Sequence, residues 1–170
     1  MLVLGIDPAI RNTGYGVIEV TGAASFRIVD CGLIRNKPGL PHSECLLRLA
    51  GGIRELAENY PIDSASIEDP FVGKNAGTAI ILGMARGAII AALAQLEIPV
   101  YAYTPRHAKK IAVGTGSATK QQVAMMMAAE LGIEIENIPL DATDALALAV
   151  CHAQIASRPE LMRAYNVKYL

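Results

Sequence analysis

The chain of 170 residues is 52% hydrophobic and 18% charged, with a mean hydropathy of +0.34, so it is long enough for one domain with a sizeable core and too short for two large ones. That balance excludes a disordered polymer. Fifteen Lys and Arg against sixteen Asp and Glu leave a net charge of -1, so bulk charge does not mark a nucleic-acid or membrane-surface protein, and any such role must rest on local patches.

Leu2 to Asp7 is a short apolar run stopped by Pro8, Gly14 to Val20 alternates with β-branched residues, and Ser25 to Arg35 is a third β-like run. Short polar or Gly-containing turns join the three, which predicts an antiparallel meander. From His42 to Tyr60 the apolar residues Leu46, Leu47, Leu49, Ile53 and Leu56 recur at helical spacing, and Pro61 ends the pattern. Ser64 to Glu68 reads as a strand, Asn75 to Gln95 as a helix and Val100 to Tyr103 as a strand. Pro105 opens a short helix to Val113, Gly114-Thr115-Gly116 is a loop, and Thr119 to Leu131 and Asp141 to Ser157 are helical. The order predicts an α/β fold, a mixed five-stranded sheet with helices on both faces, in which crossovers place later strands parallel to the first. Residues 1–158 are expected to form the domain and residues 159–170 a C-terminal tail.

The first residues carry no basic region, long apolar stretch or cleavage site of a signal peptide. Cys31, Cys45 and Cys151 are odd in number without paired spacing, which points to core thiols in a reducing cytoplasm. The apolar stretch Ala76 to Ile98 nears the length of a membrane span, but Arg86 in its middle and Gly77, Gly83 and Gly87 around it favour a buried helix.

Four acids stand out. Asp7 ends the first strand, Glu68 ends the fourth, and Asp141 and Asp144 lie three apart on one face of the last helix. Each follows or sits within an apolar run, so partial burial is expected, and buried carboxylates repel one another unless cations or protons neutralise them. Hard oxygen ligands of this kind suit Mg²⁺ or Mn²⁺, and two such ions about 3.5–4 Å apart activate a water and stabilise the leaving oxygen of a phosphodiester. Taken singly, Asp7 before Pro8 also fits a turn, Glu68 an exposed strand end, and Asp141 a helix-capping acid.

The strings Leu4-Gly5-Ile6-Asp7-Pro8, Thr13-Gly14-Tyr15-Gly16, Ile67-Glu68 with Phe71, Lys74-Asn75, Ala85-Arg86-Gly87, Val113-Gly114-Thr115-Gly116-Ser117-Ala118 with Lys120, and Asp141-Ala142-Thr143-Asp144-Ala145-Leu146-Ala147 follow one another along nearly the whole chain. In this order and length the sequence resembles the RuvC family of Holliday-junction resolvases, which have the ribonuclease H fold. The resemblance implies that Asp7, Glu68, Asp141 and Asp144 are catalytic acids holding two Mg²⁺ per site, with Mn²⁺ able to substitute. It also implies a homodimer that makes symmetric cuts in a four-way DNA junction, leaving 5′-phosphate and 3′-hydroxyl ends, with the RuvA and RuvB branch-migration proteins as partners and no membrane role. Three positions depart from the family pattern. Ala9 stands where many members have Gly, Asp69-Pro70 where Gln and an apolar residue are usual, and Thr143 where Ala is common.

Local charge complements this. From Pro70 to Ala129 six cations (Lys74, Arg86, Arg106, Lys109, Lys110, Lys120) face one acid, Glu97, whereas from Gln121 to Asp144 there are five acids (Glu130, Glu134, Glu136, Asp141, Asp144) and no Lys or Arg. A cationic region draws phosphates toward an acidic site. Lys74, Arg106, Lys109, Lys110 and Lys120 are the candidate DNA-binding cations. Lys109 and Lys120 match basic positions of the family and are assigned to the phosphate near the scissile bond. Phe71 is assigned to stacking on a base at the junction centre. His107 reads as a solvent-facing helix residue, with assistance at the site as the alternative, and His42 and His152 read as structural. Gly83, Ala85, Gly87, Ala88 and Ala91 permit close approach of another helix, where the family dimerises. The alternatives are a ribonuclease H-like nuclease acting on structured RNA and a junction-binding protein with a dead site. An actin-like ATPase is excluded, because it needs two similar domains.

Overall fold

Leu2–Asp7 (β1), Asn12–Gly22 (β2) and Ser25–Arg35 (β3) form the expected meander in the computed structural model, with Asp7 opposite Gly14 and Tyr15 opposite Gly32. The structure describes residues 1–22, 24–69, 75–134, 138–156 and 158–170. His42–Asn59 (α1) buries Cys45, Leu49, Ile53 and Leu56, whose spacing of three and four keeps them on one side of a 3.6-residue turn.

Ser64–Glu68 (β4) then runs parallel to β1, Ala76–Gln95 (α2) crosses over, and Val100–Tyr103 (β5) runs parallel to β4. Pro105–Val113 (α3), Lys120–Leu131 (α4) and Leu140–Ala156 (α5) follow. Asn75, Thr104 and Thr119 each cap a helix N-terminus through a side-chain oxygen, so the three helices expected to start near Asn75, Pro105 and Thr119 begin one residue past a capping side chain.

Among the described residues the sheet has six strands, ordered β3-β2-β1-β4-β5-β6, not five. The sixth, Lys168–Tyr169 (β6), pairs antiparallel with β5, and two residues are too few to leave an alternating pattern in a sequence. Residues 159–170, expected as a tail, carry Pro159–Ala164 (α6) and β6, and Leu161, Met162 and Val167 pack against Tyr103, Leu148 and Ile155.

Strand periodicity divides the core. Leu4 and Ile6 of β1 and Ala65 and Ile67 of β4 point to one face, covered by α1 and α2 through Leu49, Ile53, Ala85 and Ile89. Val3 and Ile18 point to the other, covered by Val123 and Met127 of α4 and Leu146 and Val150 of α5. α5 lies almost against the strands. A Cβ on Gly5 would stand 1.9 Å from the Ala145 carbonyl oxygen, and one on Gly14 would stand 2.0 Å from that of Asp141. Only hydrogen at those two positions lets the helix seat where it does.

The expectation of a buried α2 is half met. Ala85, Ile89, Ala92 and Leu93 are buried, but Ile80 is 64% and Met84 38% exposed. The helix is long and apolar enough to cross a membrane by length and composition, yet its inner face is built into the core beside α1.

Candidate functional site

Parity along the strands carries the first two acids to the same place. Asp7 shares the face of Val3 and Gly5, and Glu68 shares that of Ser64 and Ser66, so both point toward α5 rather than toward α1 and α2. Register does the rest: Ile6 pairs with Ile67, and the next residue on each strand is the acid. α5 arrives over the same strand ends with its first turn, bringing Asp141 and Asp144, three residues apart. One carboxylate oxygen from each of Asp7, Asp141 and Asp144 lies within 4.8 Å of the others, and Glu68 lines the same cleft of about 200 Å³ with Asp7, Asp144, Lys109 and Lys120.

The charges are strongly coupled. Burial, and then the neighbouring Glu68 and Asp144, push the Asp7 carboxyl up from 3.8 to about 7. Burial and Asp144 likewise raise Glu68. Lys120, the first residue of α4, places Nζ 2.9 Å from Asp141 Oδ1 and 2.8 Å from Asp144 Oδ2. Burial alone would lower this ammonium, but its bonds to Asp144 and Asp141 raise it, so it stays charged. Lys109 donates from Nζ to the Ala118 carbonyl at 2.9 Å, tying α3 to the turn before α4. Four acids facing two lysines leave an excess of negative charge, and an all-oxygen donor set at this spacing fits a hard divalent cation.

Other sequence-predicted residues fall elsewhere. Arg106 and Lys110 are exposed on α3 and line a shallow hollow with Gly114, Thr115, Gly116 and Ser117, next to the acidic cleft along the same helix. Phe71 and Lys74 lie outside the described residues, as do Pro70 and Ser157. His107 is half-buried and packs edge-on against Tyr165, with ring centroids 5.4 Å apart, rather than facing solvent or the cleft. His152 is structural as expected: its ring bonds the Tyr103 hydroxyl at 2.7 Å and the Ser64 hydroxyl at 3.1 Å, and burial lowers it to about 4, keeping it neutral. Cys45 and Cys151 are buried thiols, and Cys31 is half-buried.

The departures at Ala9, Asp69 and Thr143 are accommodated. Ala9 needs no positive φ, and it exchanges hydrogen bonds with Thr13, whose hydroxyl donates to the Ala9 carbonyl at 2.6 Å. The buried Thr143 hydroxyl donates to Leu140 at 2.7 Å. Asp69 takes Lys168, which sequence reasoning missed because a lone cation near a terminus carries no local pattern.

The model of the RuvC family, described as crossover junction endodeoxyribonuclease RuvC, matches residues 3–152. The chain is 44% identical over 163 residues to the crossover junction endodeoxyribonuclease RuvC of Chloroflexus aggregans, covering 96% of this chain and 98% of that one. It is 44% identical over 152 residues to the protein of the same name from Chlorobaculum parvum, covering 89% and 80%. Among solved structures, T. thermophilus RuvC in complex with a Holliday junction substrate superposes with a TM-score of 0.88 at 32% identity, covering 100% of this chain and 99% of that one.

Proposed function

The chain belongs to the RuvC family of crossover junction endodeoxyribonucleases, and from that premise we propose that Asp7, Glu68, Asp141 and Asp144 are the metal-binding acids with which it resolves four-way DNA junctions in recombination and repair. The observation that carries the assignment is the meeting of Asp7, Asp141 and Asp144 within 4.8 Å beside Glu68, from three segments far apart in sequence. Two Mg²⁺ ions, with Mn²⁺ as a substitute, would supply there an activated water and stabilisation of the leaving oxygen.

The chain's own residues do the remaining work. Asp7 and Glu68, fixed at the ends of adjacent parallel strands, and the first turn of α5 hold four carboxylates against their mutual repulsion. Lys109 and Lys120, lining the cleft from α3 and α4, attract the scissile phosphate, Arg106 and Lys110 extend the attraction along the backbone, and Lys74 is assigned to DNA from the sequence. Phe71 is assigned from the sequence to a base at the junction centre. Water adds across the P–O3′ bond, so the 3′ oxygen leaves as a hydroxyl and the phosphate stays on the 5′ end.

Paired cuts need two sites, and α2 offers the surface for a homodimer. Ile80, Gly83, Met84, Gly87 and Ala91 recur at steps of three and four on its exposed side, and among the described residues a Cβ on Gly83 or Gly87 would meet nothing within 4 Å beyond the backbone of its own helix. The free thiols Cys31, Cys45 and Cys151 fit a reducing cytoplasm, and RuvA and RuvB are the partners that deliver junctions.

The test is a nicking assay on a synthetic four-way junction, with a structured RNA as the competing substrate. Paired nicks in the junction that need divalent ion and vanish in Glu68→Gln are the expected result. Cleavage of the RNA in preference to the junction, or metal-independent nicking, would refute the reading.

A further inference from the structure

Beside the four acids lies a second charged cluster, built from Asp69, Arg86 and Lys168. Arg86, on α2 and largely buried, donates from Nε to the backbone carbonyl of Glu68 at 3.1 Å and places Nη2 3.6 Å from Asp69 Oδ1. Lys168, on β6, lies 2.6 Å from Asp69 Oδ2. The Asp69 N–H donates to the Tyr103 carbonyl at 2.7 Å, one residue beyond the pairing of Glu68 with Tyr103. β6 is itself fastened to β5 by the pairing of Lys168 with Ala102 and by the Leu170 N–H on the Val100 carbonyl at 3.0 Å. Tyr169 packs on Tyr101, with centroids 5.4 Å apart.

The peptide that follows Glu68 is therefore held from three sides, by β5, by α2 and by the last strand of the chain. Fixing the Glu68 carbonyl fixes the plane of the following peptide, and with Ile67 and Glu68 also paired in the sheet it restricts rotation about the Glu68 Cα–C bond and so the direction in which the side chain leaves the backbone. We propose that the Arg86–Asp69–Lys168 cluster is a positioning device for the acidic centre, aiming Glu68 at Asp7 and making the C-terminal strand a working part of the site. The inference rests on the four acids being metal ligands. Asp69 is one of the positions at which this sequence departs from the family pattern, and the clamp to Lys168 depends on that departure.

Charge alone and positioning make opposite predictions. Lys168 is a cation near an acidic centre, so removing it would strengthen divalent-ion binding if its field were all that mattered. If it positions Glu68, removing it weakens binding. The experiment is a calorimetric Mn²⁺ titration of the full-length, DNA-free protein in four forms: native, Lys168→Met, Lys168→Arg and Asp7→Asn. Lys168→Met is expected to bind Mn²⁺ about tenfold more weakly, Lys168→Arg to bind as the native protein does, and Tm to change little because Lys168 is 55% exposed. Equal or tighter Mn²⁺ binding by Lys168→Met, with native binding that Asp7→Asn abolishes, overturns the positioning role and leaves the assignment of the four acids standing. Absence of Mn²⁺ binding by the native protein overturns both.

Discussion

Asp7 is the residue on which the proposed chemistry turns. It is the acid whose carboxyl is raised to about 7, chiefly by burial and then by Glu68 and Asp144. Asp7→Asn keeps the shape and removes the charge. Losing about 4 kcal/mol of charge stabilisation at a metal centre corresponds to about a thousandfold in rate, so nicking is expected to fall by that much while junction binding, measured by gel shift, stays near native. The same raised carboxyl makes stability depend on pH. Between 3.8 and about 7 the folded, metal-free chain holds a proton on Asp7 that the unfolded chain has released, so its stability falls as pH rises through that window. A divalent ion replaces that proton and relieves the repulsion among the acids. The gain in Tm on adding saturating Mg²⁺ is therefore expected to be larger above about pH 7 than near pH 5, and a gain independent of pH in a thermal-shift series would contradict the coupling.

At the scale of elements, the site is a contact between the first turn of α5 and the ends of β1 and β4, with β2 seating the helix. The first turn of α5 sits where it does because Gly14 has no side chain: its Cβ would stand 2.0 Å from the Asp141 carbonyl, which is backbone and has no rotamer to escape into. Gly14→Ala must push the helix away from the sheet, at about 1–3 kcal/mol for overpacking a rigid contact. The shift carries Asp141 and Asp144 with it. A lowered Tm together with loss of Mn²⁺ affinity is the expected outcome. Loss of Tm with metal affinity intact, measured by calorimetry, would show that the acids tolerate displacement of the helix. The other wall is similarly built, since Thr119 caps α4 within a reciprocal capping box with Gln122 and so presents Lys120 at the first helical position, facing Asp141 and Asp144.

For the whole molecule, the open side of α2 matters most. A helix with Ile80 at 64% exposure and a row of Gly83, Gly87 and Ala91 beside it leaves apolar surface in water, which a second copy of the chain would cover. Ile80→Glu places a charge in that surface. Sedimentation is expected to show a shift from dimer to monomer, with paired nicks replaced by single, uncoordinated ones. A native protein that sediments as a monomer at assay concentration would remove α2 as the dimer surface. Charge is divided on the same scale: the cations of α3 and the start of α4 border the acids of α5, so a net charge of -1 conceals a cationic strip beside an acidic cleft.

Much of this was legible without coordinates because it is local. Strand alternation, helical spacing, Pro and Gly punctuation and capping side chains act over a few residues, so the meander, the crossover helices and the four acids with their family pattern could be read directly from the order of amino acids. What tertiary structure decided is whatever depends on contacts between residues far apart in the chain. Sheet register set Asp7 beside Glu68, missing side chains at Gly5 and Gly14 let α5 approach, and the burial that raised Asp7 came from packing rather than from its neighbours in sequence. The sixth strand and the Lys168–Asp69 pair, spanning 99 residues, belong to the same class, since an ion pair across that distance leaves no periodicity for sequence reading to find.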